Sequence, residues 1–199
     1  MFMRVSSILV LVVLAGFVAG CSDSPVDQYD AGKTAIENAR LAEAELYAPE
    51  ALKEATDSLN AAMVEMQKQD GRFALVRSYG KSEEMIALSQ QLAEKAASEA
   101  AIGKERMRVA DSVLIAEVGT LIGETNSILA TAPKGKGTAV DLKVMKADLE
   151  AASGALTAAT AEFQTGSYHS ANGQLLAVKS QVTKVKSDIE AAIARLQKK

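Results

Sequence analysis

The sequence predicts an all-α protein: an elongated, antiparallel, coiled-coil-like helical bundle of two related helical-hairpin units joined by a long helix. Three observations carry this. Alanine is abundant, aromatics make up 4% of the 199 residues and tryptophan is absent, a composition of long helices and not of a core built on large rings. Apolar residues recur at alternating steps of three and four, the period of a helical seam, where a strand would repeat every two. The three prolines, Pro25, Pro49 and Pro133, stand outside the periodic segments and interrupt no helix.

Ahead of the first seam the chain reads MFMRVSSILVLVVLAGFVAGC. Arg4 is the only charge before Cys21, and residues 8–18 are all apolar or small. A basic start, a short apolar core and a small-residue exit make up a secretory signal. The run falls short of the roughly 20 residues that cross about 30 Å of hydrocarbon. Residues 1–20 therefore read as a cleaved leader, and the competing reading, an uncleaved anchor helix over 5–18, is disfavoured. The exit Val18-Ala19-Gly20-Cys21 resembles the lipobox of bacterial lipoproteins. That resemblance implies diacylglycerol transfer to the Cys21 thiol, cleavage between Gly20 and Cys21, and acylation of the new amino group by a palmitate-type chain. Cys21 is the only cysteine, so the chain offers it no disulfide partner, and an unpaired thiol in an oxidising envelope is a liability that lipidation removes. Acyl chains hold a bilayer at about 0.8 kcal/mol per buried methylene. Ser22 after the cysteine resembles the outer-membrane class of sorting signals, which implies the periplasmic face of the outer membrane in preference to the inner membrane.

Residues 21–28 read as a lipidated polar tether. A first helix is expected from about Gln28 to Tyr47, with Ala35, Ala39, Ala42 and Leu46 inward, and the residue before Pro49 ends it. Pro49 suits the first turn of a second helix, whose seam is Leu52, Ala55, Leu59, Ala62 and Met66, with Gly71 as its stop. From Arg72 to Pro133 the pattern is helical nearly throughout, with Leu114, Val118, Leu121, Thr125 and Leu129 on one face. Glycines in a helix cost about 1 kcal/mol each relative to alanine, and a break is expected near Gly103. Residues 29–131 thus form the first unit and its connecting helix, and 132–139 a linker in which Thr138 can cap the next helix. The second hairpin occupies 140–199. One helix carries Leu142, Met145, Leu149, Ala152, Leu156, Ala159 and Phe163. After a turn at Gly166 the other carries Ala171, Leu175, Val178, Val182, Val185, Ile189, Ala192 and Leu196.

The two units echo each other. ALKEATDSLNAAMVEMQ (51–67) aligns with DLEAASGALTAATAEFQ (148–164) at a constant offset of 97, pairing Leu52, Ala55 and Leu59 with Leu149, Ala152 and Leu156. After a two-residue shift Gly71-Arg72-Phe73 faces Gly166-Ser167-Tyr168, and the aromatic is expected to staple each turn over the facing helix. The period is too long for a tetratricopeptide array. The stretch ARLAEAELYAPEALKEATDSLNAAMVEMQKQDG, with its core from Ala44 through Ala48-Pro49 to Leu52 and Ala55, resembles an uncharacterised alanine-rich helical domain of bacterial envelope lipoproteins. The likeness covers about 30–101, with a weaker echo over 142–193. In that family an OmpA-like peptidoglycan-binding domain often follows; this sequence shows none, so wall binding by that route is not implied, and the family implies no reaction.

Without residues 1–20 the 22 basic residues lose Arg4 while the 25 acidic ones remain, for a net charge near −4. Weak acidity without a basic stripe argues against nucleic acid. His169 is the only histidine, so no metal or haem cluster can be assembled around it, and it reads as a surface turn residue. No serine sits in a nucleophile elbow, and PKGKG lacks phosphate-loop spacing. Glu83 and Glu84 read as a solvated face, and Met63, Met66, Met85 and Met145 as packing residues. No catalytic, cofactor or metal residue is predicted, and the chain is not expected to be an enzyme. The ending ARLQKK resembles that of the Braun-type murein lipoprotein, which would make Lys199 a peptidoglycan attachment point; basic residues complementing the helix dipole account for it more simply. The function expected is a lipid-anchored periplasmic scaffold or spacer, contacting an envelope protein or the wall, with self-association as a further partner. The alternative is a carrier or chaperone-like binder of an apolar ligand or outer-membrane client.

Overall fold

The structure, a computed structural model, describes residues 23–133 and 139–197. The expected leader (1–20), Cys21, Thr138 and Lys199 lie outside them, as does the Leu196 side chain. The protein is all-α, with no strand among the described residues. Its helices are α1 (Val26–Leu41), the single turn α2 (Ala44–Tyr47), α3 (Pro49–Asp70), α4 (Gly80–Thr131), α5 (Ala139–Gln164) and α6 (Tyr168–Gln197), with a 3₁₀ turn at Ala74–Val76. They form two compact units, Met1–Gly103 and Lys104–Lys199. The sequence pattern assigns 29–131 to the first unit and its connecting helix. Instead α4 does more than join: up to Gly103 it is the last helix of unit 1, and from Lys104 it is the first helix of unit 2. Each unit is an up-down-up arrangement of three helical rods. No helical break occurs at Gly103. By length and composition α4 is also long and apolar enough to cross a membrane.

In unit 1 the expected α3 seam is the buried one, with Leu52, Ala55, Leu59, Ala62 and Met66 joined by Ala51, Glu65 and Gln69. The first helix differs from expectation. It starts at Val26, which shortens the tether, and buries Gly32, Ile36 and Ala39. Glu43 takes a left-handed conformation with φ 62°, and this resets the register so that Ala44 and Ala48 turn inward while Leu46 is exposed. A left-handed non-glycine residue is strained by about 1–2 kcal/mol. The reversal it makes seats α2 against α4: a Cβ on Gly103 would stand 3.0 Å from the Tyr47 carbonyl oxygen and 3.1 Å from its Cβ. Gly103 is thus a close-approach residue and not a hinge. The same logic places Gly32, where a Cβ would meet Leu59 Cδ1 at 2.8 Å.

The α4 seam of unit 1 is Ser82, Ile86, Ser89, Ala93, Ala96 and Ala100; that of α6 is Ala171, Leu175, Val178, Val182, Val185 and Ile189. The two match at a constant offset of 89, and buried Leu52, Ala55 and Ala62 of α3 match buried Leu149, Ala152 and Ala159 of α5 at 97, so by this alignment unit 1 carries eight more residues between its helices. The side chains differ in size. Apart from Ile86, unit 1 uses serine and alanine on α4, and its helices are tied across the seam: Ser89 Oγ donates to the Ala55 carbonyl at 2.8 Å and Ser58 Oγ to the Met85 carbonyl at 2.9 Å. Unit 2 fills all of these positions but Ala171 with branched residues, of which Val178, Val182, Val185 and Ile189 pack against Val118, Ile122, Leu149 and Ala152. Outside its core, Lys179 meets Glu117 at 3.0 Å and Lys186 meets Glu124 at 3.2 Å. This heptad-spaced ladder fixes register, while each exposed pair contributes only about 0–1 kcal/mol.

The α5–α6 turn behaves as expected. Gly166 has φ 86°, the Ser167 N–H donates to the Glu162 carbonyl at 3.1 Å and the Gly166 N–H to the Phe163 carbonyl at 3.1 Å, a Schellman ending that favours glycine. Tyr168 packs on Phe163 with ring centroids 5.3 Å apart. The α3–α4 connection does not match it. Gly71 is right-handed, with φ −73°, and Phe73 staples nothing, being 71% exposed. It belongs to the extra loop, and the buried aromatic there is Tyr79, 1% exposed.

One expectation separates packing from propensity. Gly123→Ala meets nothing within 4 Å and is expected to raise stability by about 0.5–1 kcal/mol, the ordinary helix gain. Gly103→Ala adds the same propensity but pushes on Tyr47 backbone, so a net loss is expected; urea midpoints of the two variants check the opposite signs.

Candidate functional site

Three polar clusters interrupt the apolar packing. The largest closes the end of unit 1 where α3 passes into α4, over 71–79. Extended backbone at Phe73 and Arg77 brackets the 3₁₀ turn. Buried Gln69 organises the cluster: its Nε2 donates to Glu65 Oε1 at 2.7 Å, and its Oε1 accepts from Arg72 Nη1 at 3.0 Å and the Ser78 N–H at 3.3 Å. Arg77 braces the loop from the other side, donating to the carbonyls of Arg72 and Asp70, each at 2.9 Å. The Tyr79 hydroxyl donates to Asp70 Oδ1. By its sequence pattern the stretch reads as helix from Arg72 on. The signal that could have found the loop is GRFALVRSYG: four apolar residues between two arginines, bounded by glycines that break helical continuity.

The hydrogen bond from Gln69, then Lys68 and Lys81, hold the Glu65 carboxyl below the usual carboxylate range, against the opposing effect of burial. The bond to Asp70, followed by burial, raises the Tyr79 phenol above its ordinary value. A depressed carboxyl adds stability present above its unfolded pKa and lost as pH falls through its folded one. A raised phenol adds stability present below its unfolded pKa and lost as pH rises through its folded one. Urea midpoints should therefore fall on both sides of neutrality, in the acid limb below the usual carboxylate range and in the alkaline limb above the usual phenol pKa. Glu65→Gln is expected to flatten the Glu65 part of the acid limb and leave the alkaline limb in place.

The second cluster lies inside unit 2. Asp111 is fully buried on α4, accepts from Asn172 Nδ2 of α6 at 2.5 Å, and its Oδ2 accepts no hydrogen bond among the described residues. The third sits at the α5–α6 turn, where Ser170 and Gln174 hydrogen-bond Glu162 and hold its carboxyl below the ordinary range. His169 is exposed beside it at the start of α6. Met66 is buried and Met85 and Met145 are partly buried, but Met63 faces outward, where its Sδ accepts from the Tyr29 hydroxyl at 3.3 Å. Among the described residues no three His, Cys, Asp or Glu side chains converge so as to hold a metal ion. A shallow depression along α6, lined by Leu176, Lys179, Thr183 and Asp188, lies on one helix face and is open to solvent.

The three clusters do different work. Those at Glu65 and Glu162 shape turns, and the Asp111–Asn172 pair specifies how α4 and α6 face each other. The positions assigned to lipidation, cleavage and wall attachment (Cys21, Gly20 and Lys199) lie outside the described residues. The chain matches no protein-family model, no curated protein and no solved structure.

Proposed function

We propose that the chain is a lipid-anchored, non-enzymatic helical scaffold or spacer of the bacterial cell envelope, held at the periplasmic face of the outer membrane through Cys21. The observation that carries this reading is the closed packing of both units. The residues a carrier would need to line a pocket are packed on one another: Ile36, Leu52, Leu59 and Ile86 in unit 1, and Val118, Leu149, Val182 and Ile189 in unit 2. Small residues at the unit 1 seam leave little room for an apolar guest, since interiors close at crystal-like density. α1 starts at Val26, five residues beyond the cysteine of the lipobox, so the tether allows little free travel from the bilayer. A scaffold fits such packing: rigid helices rising 1.5 Å per residue carry side-chain faces away from the surface.

Cross-linking in intact envelopes, followed by purification of the chain, tests it. Recovery of one defined envelope protein cross-linked to exposed helix residues is expected. Stoichiometric lipid or unfolded outer-membrane protein shielded within the chain would overturn scaffolding in favour of carriage. Attachment through Lys199 is tested separately, by digesting purified wall: no release of a peptide from this chain excludes it.

A further inference from the structure

The loop braced by Gln69, Arg72 and Arg77 presents Phe73, Leu75 and Val76 at 71, 71 and 60% exposure. Exposed large apolar residues elsewhere stand singly or in pairs, as at Met63–Val64 and Val109/Val113, as normal surfaces allow, but here three fall within four positions on a stiff turn. The polar network beneath them holds the backbone and leaves the apolar side chains outside, which is the reverse of how a loop ordinarily faces water.

The same end of unit 1 receives the chain's start. Ser24 stands beside the Tyr79 hydroxyl at the base of the loop, Tyr29 reaches Met63 near the end of α3, and Gln90 of α4 reaches the Gln28 carbonyl. Val26, also exposed, begins α1 there. Cys21 precedes Ser24 by three residues, and a fully extended chain spans at most about 3.6 Å per residue, so the lipid-bearing sulfur lies within roughly 11 Å of backbone reach from Ser24.

We propose that the tip Phe73–Val76 inserts into the lipid surface that carries the Cys21 acyl chains, making a second, non-covalent contact that fixes how unit 1 stands on the membrane. The proposal rests on the lipid-anchor reading and adds the tip to it. A bilayer fits the patch better than a protein partner. Four residues are far fewer than the roughly 20–30 per side of a stable protein interface, whereas shallow burial of a few apolar side chains at the headgroup–acyl boundary is what interfacial anchoring uses. Acidic Asp23, Asp27 and Asp70 accompany Arg72 and Arg77 at this end, so insertion runs on apolar burial and needs no anionic lipid.

The chain contains no tryptophan, so one introduced indole reports alone. Phe73→Trp and, at the exposed Leu41 toward the other end of unit 1, Leu41→Trp are made in the full lipidated chain and reconstituted into phosphatidylcholine vesicles, with and without bromine on the acyl chains. Both sites are exposed, and circular dichroism checks that each variant keeps its helices. Both variants should float with vesicles. The indole of Phe73→Trp should shift its emission to the blue and be quenched by brominated chains. That of Leu41→Trp should not change, and added phosphatidylglycerol should have no effect on either. Flotation of Phe73→Trp with its indole still at the solvent-exposed emission overturns insertion and leaves the anchor intact. Failure to float, with Cys21 unacylated by mass, overturns the anchor and insertion with it. A concentration-dependent blue shift of Phe73→Trp without vesicles, unchanged on adding them, assigns the tip to a protein contact and overturns the bilayer.

Discussion

Leu149→Ala is expected to lower the stability of unit 2 by roughly 2–5 kcal/mol, the range for emptying a buried leucine site. Leu149 is almost fully buried on α5 and packs in the cluster that joins Val118 and Ile122 of α4 to Val178, Val182 and Val185 of α6. The neighbours are β-branched and stiff at χ1, so they collapse poorly into the space left. Much of unit 2's apolar packing gathers there, and a loss of this size is a large share of the roughly 5–15 kcal/mol that holds an ordinary domain together. Amide exchange should show the loss in residues 104–197, with protection up to Gly103 little changed. Equal loss in both units would mean that the chain unfolds as one cooperative body.

Ala93→Leu is expected to act by the opposite mechanism in unit 1. Ala93 is fully buried, between Ser89 and Ala96 on the seam. Overpacking a filled core costs about 1–3 kcal/mol and occasionally more, and here the added atoms press apart helices that the Ser89–Ala55 and Ser58–Met85 hydrogen bonds hold together. Losing those bonds leaves buried hydroxyl and carbonyl groups to be satisfied elsewhere, at roughly 1–3 kcal/mol each. The loss is read from urea midpoints. A stability unchanged by Ala93→Leu would show that the seam has room, and with it the space a carrier needs.

Much of the fold is legible in the sequence because the seams are long and regular. Leu52 to Met66 and Ala171 to Ile189 alternate threes and fours without interruption, and each of these positions is buried. Legibility ends where local backbone chemistry overrides period. Nothing in a run of alanine and glutamate announces that Glu43 turns left-handed, since the conformation is imposed by docking α2 on Gly103. The sharing of α4 by both units is hidden because a continuous helix carries no boundary mark. The loop at 71–79 reads as helix because four apolar residues resemble a helix face until their exposure is known. The pairing of Phe73 with Tyr168 does not hold; the buried α4 and α6 faces, offset by 89, set Tyr168 against Tyr79, six residues further on. Of the candidate site, the Gln69-centred brace is made of hydrogen bonds reaching three to nine residues along the chain, which a helical period does not encode, while Cys21, expected from a short motif, lies outside the described residues.

The central claim is that the sulfur of Cys21 carries lipid. Intact mass spectrometry of the mature protein extracted from membranes measures this directly, with a Cys21→Ser chain alongside. The expected mature chain begins at residue 21 and is heavier than its sequence by a diacylglycerol and one further acyl group, and the expected serine variant keeps residues 1–20 and gains no lipid. A mature chain of bare polypeptide mass, or a serine variant processed and membrane-bound like the original, would contradict it.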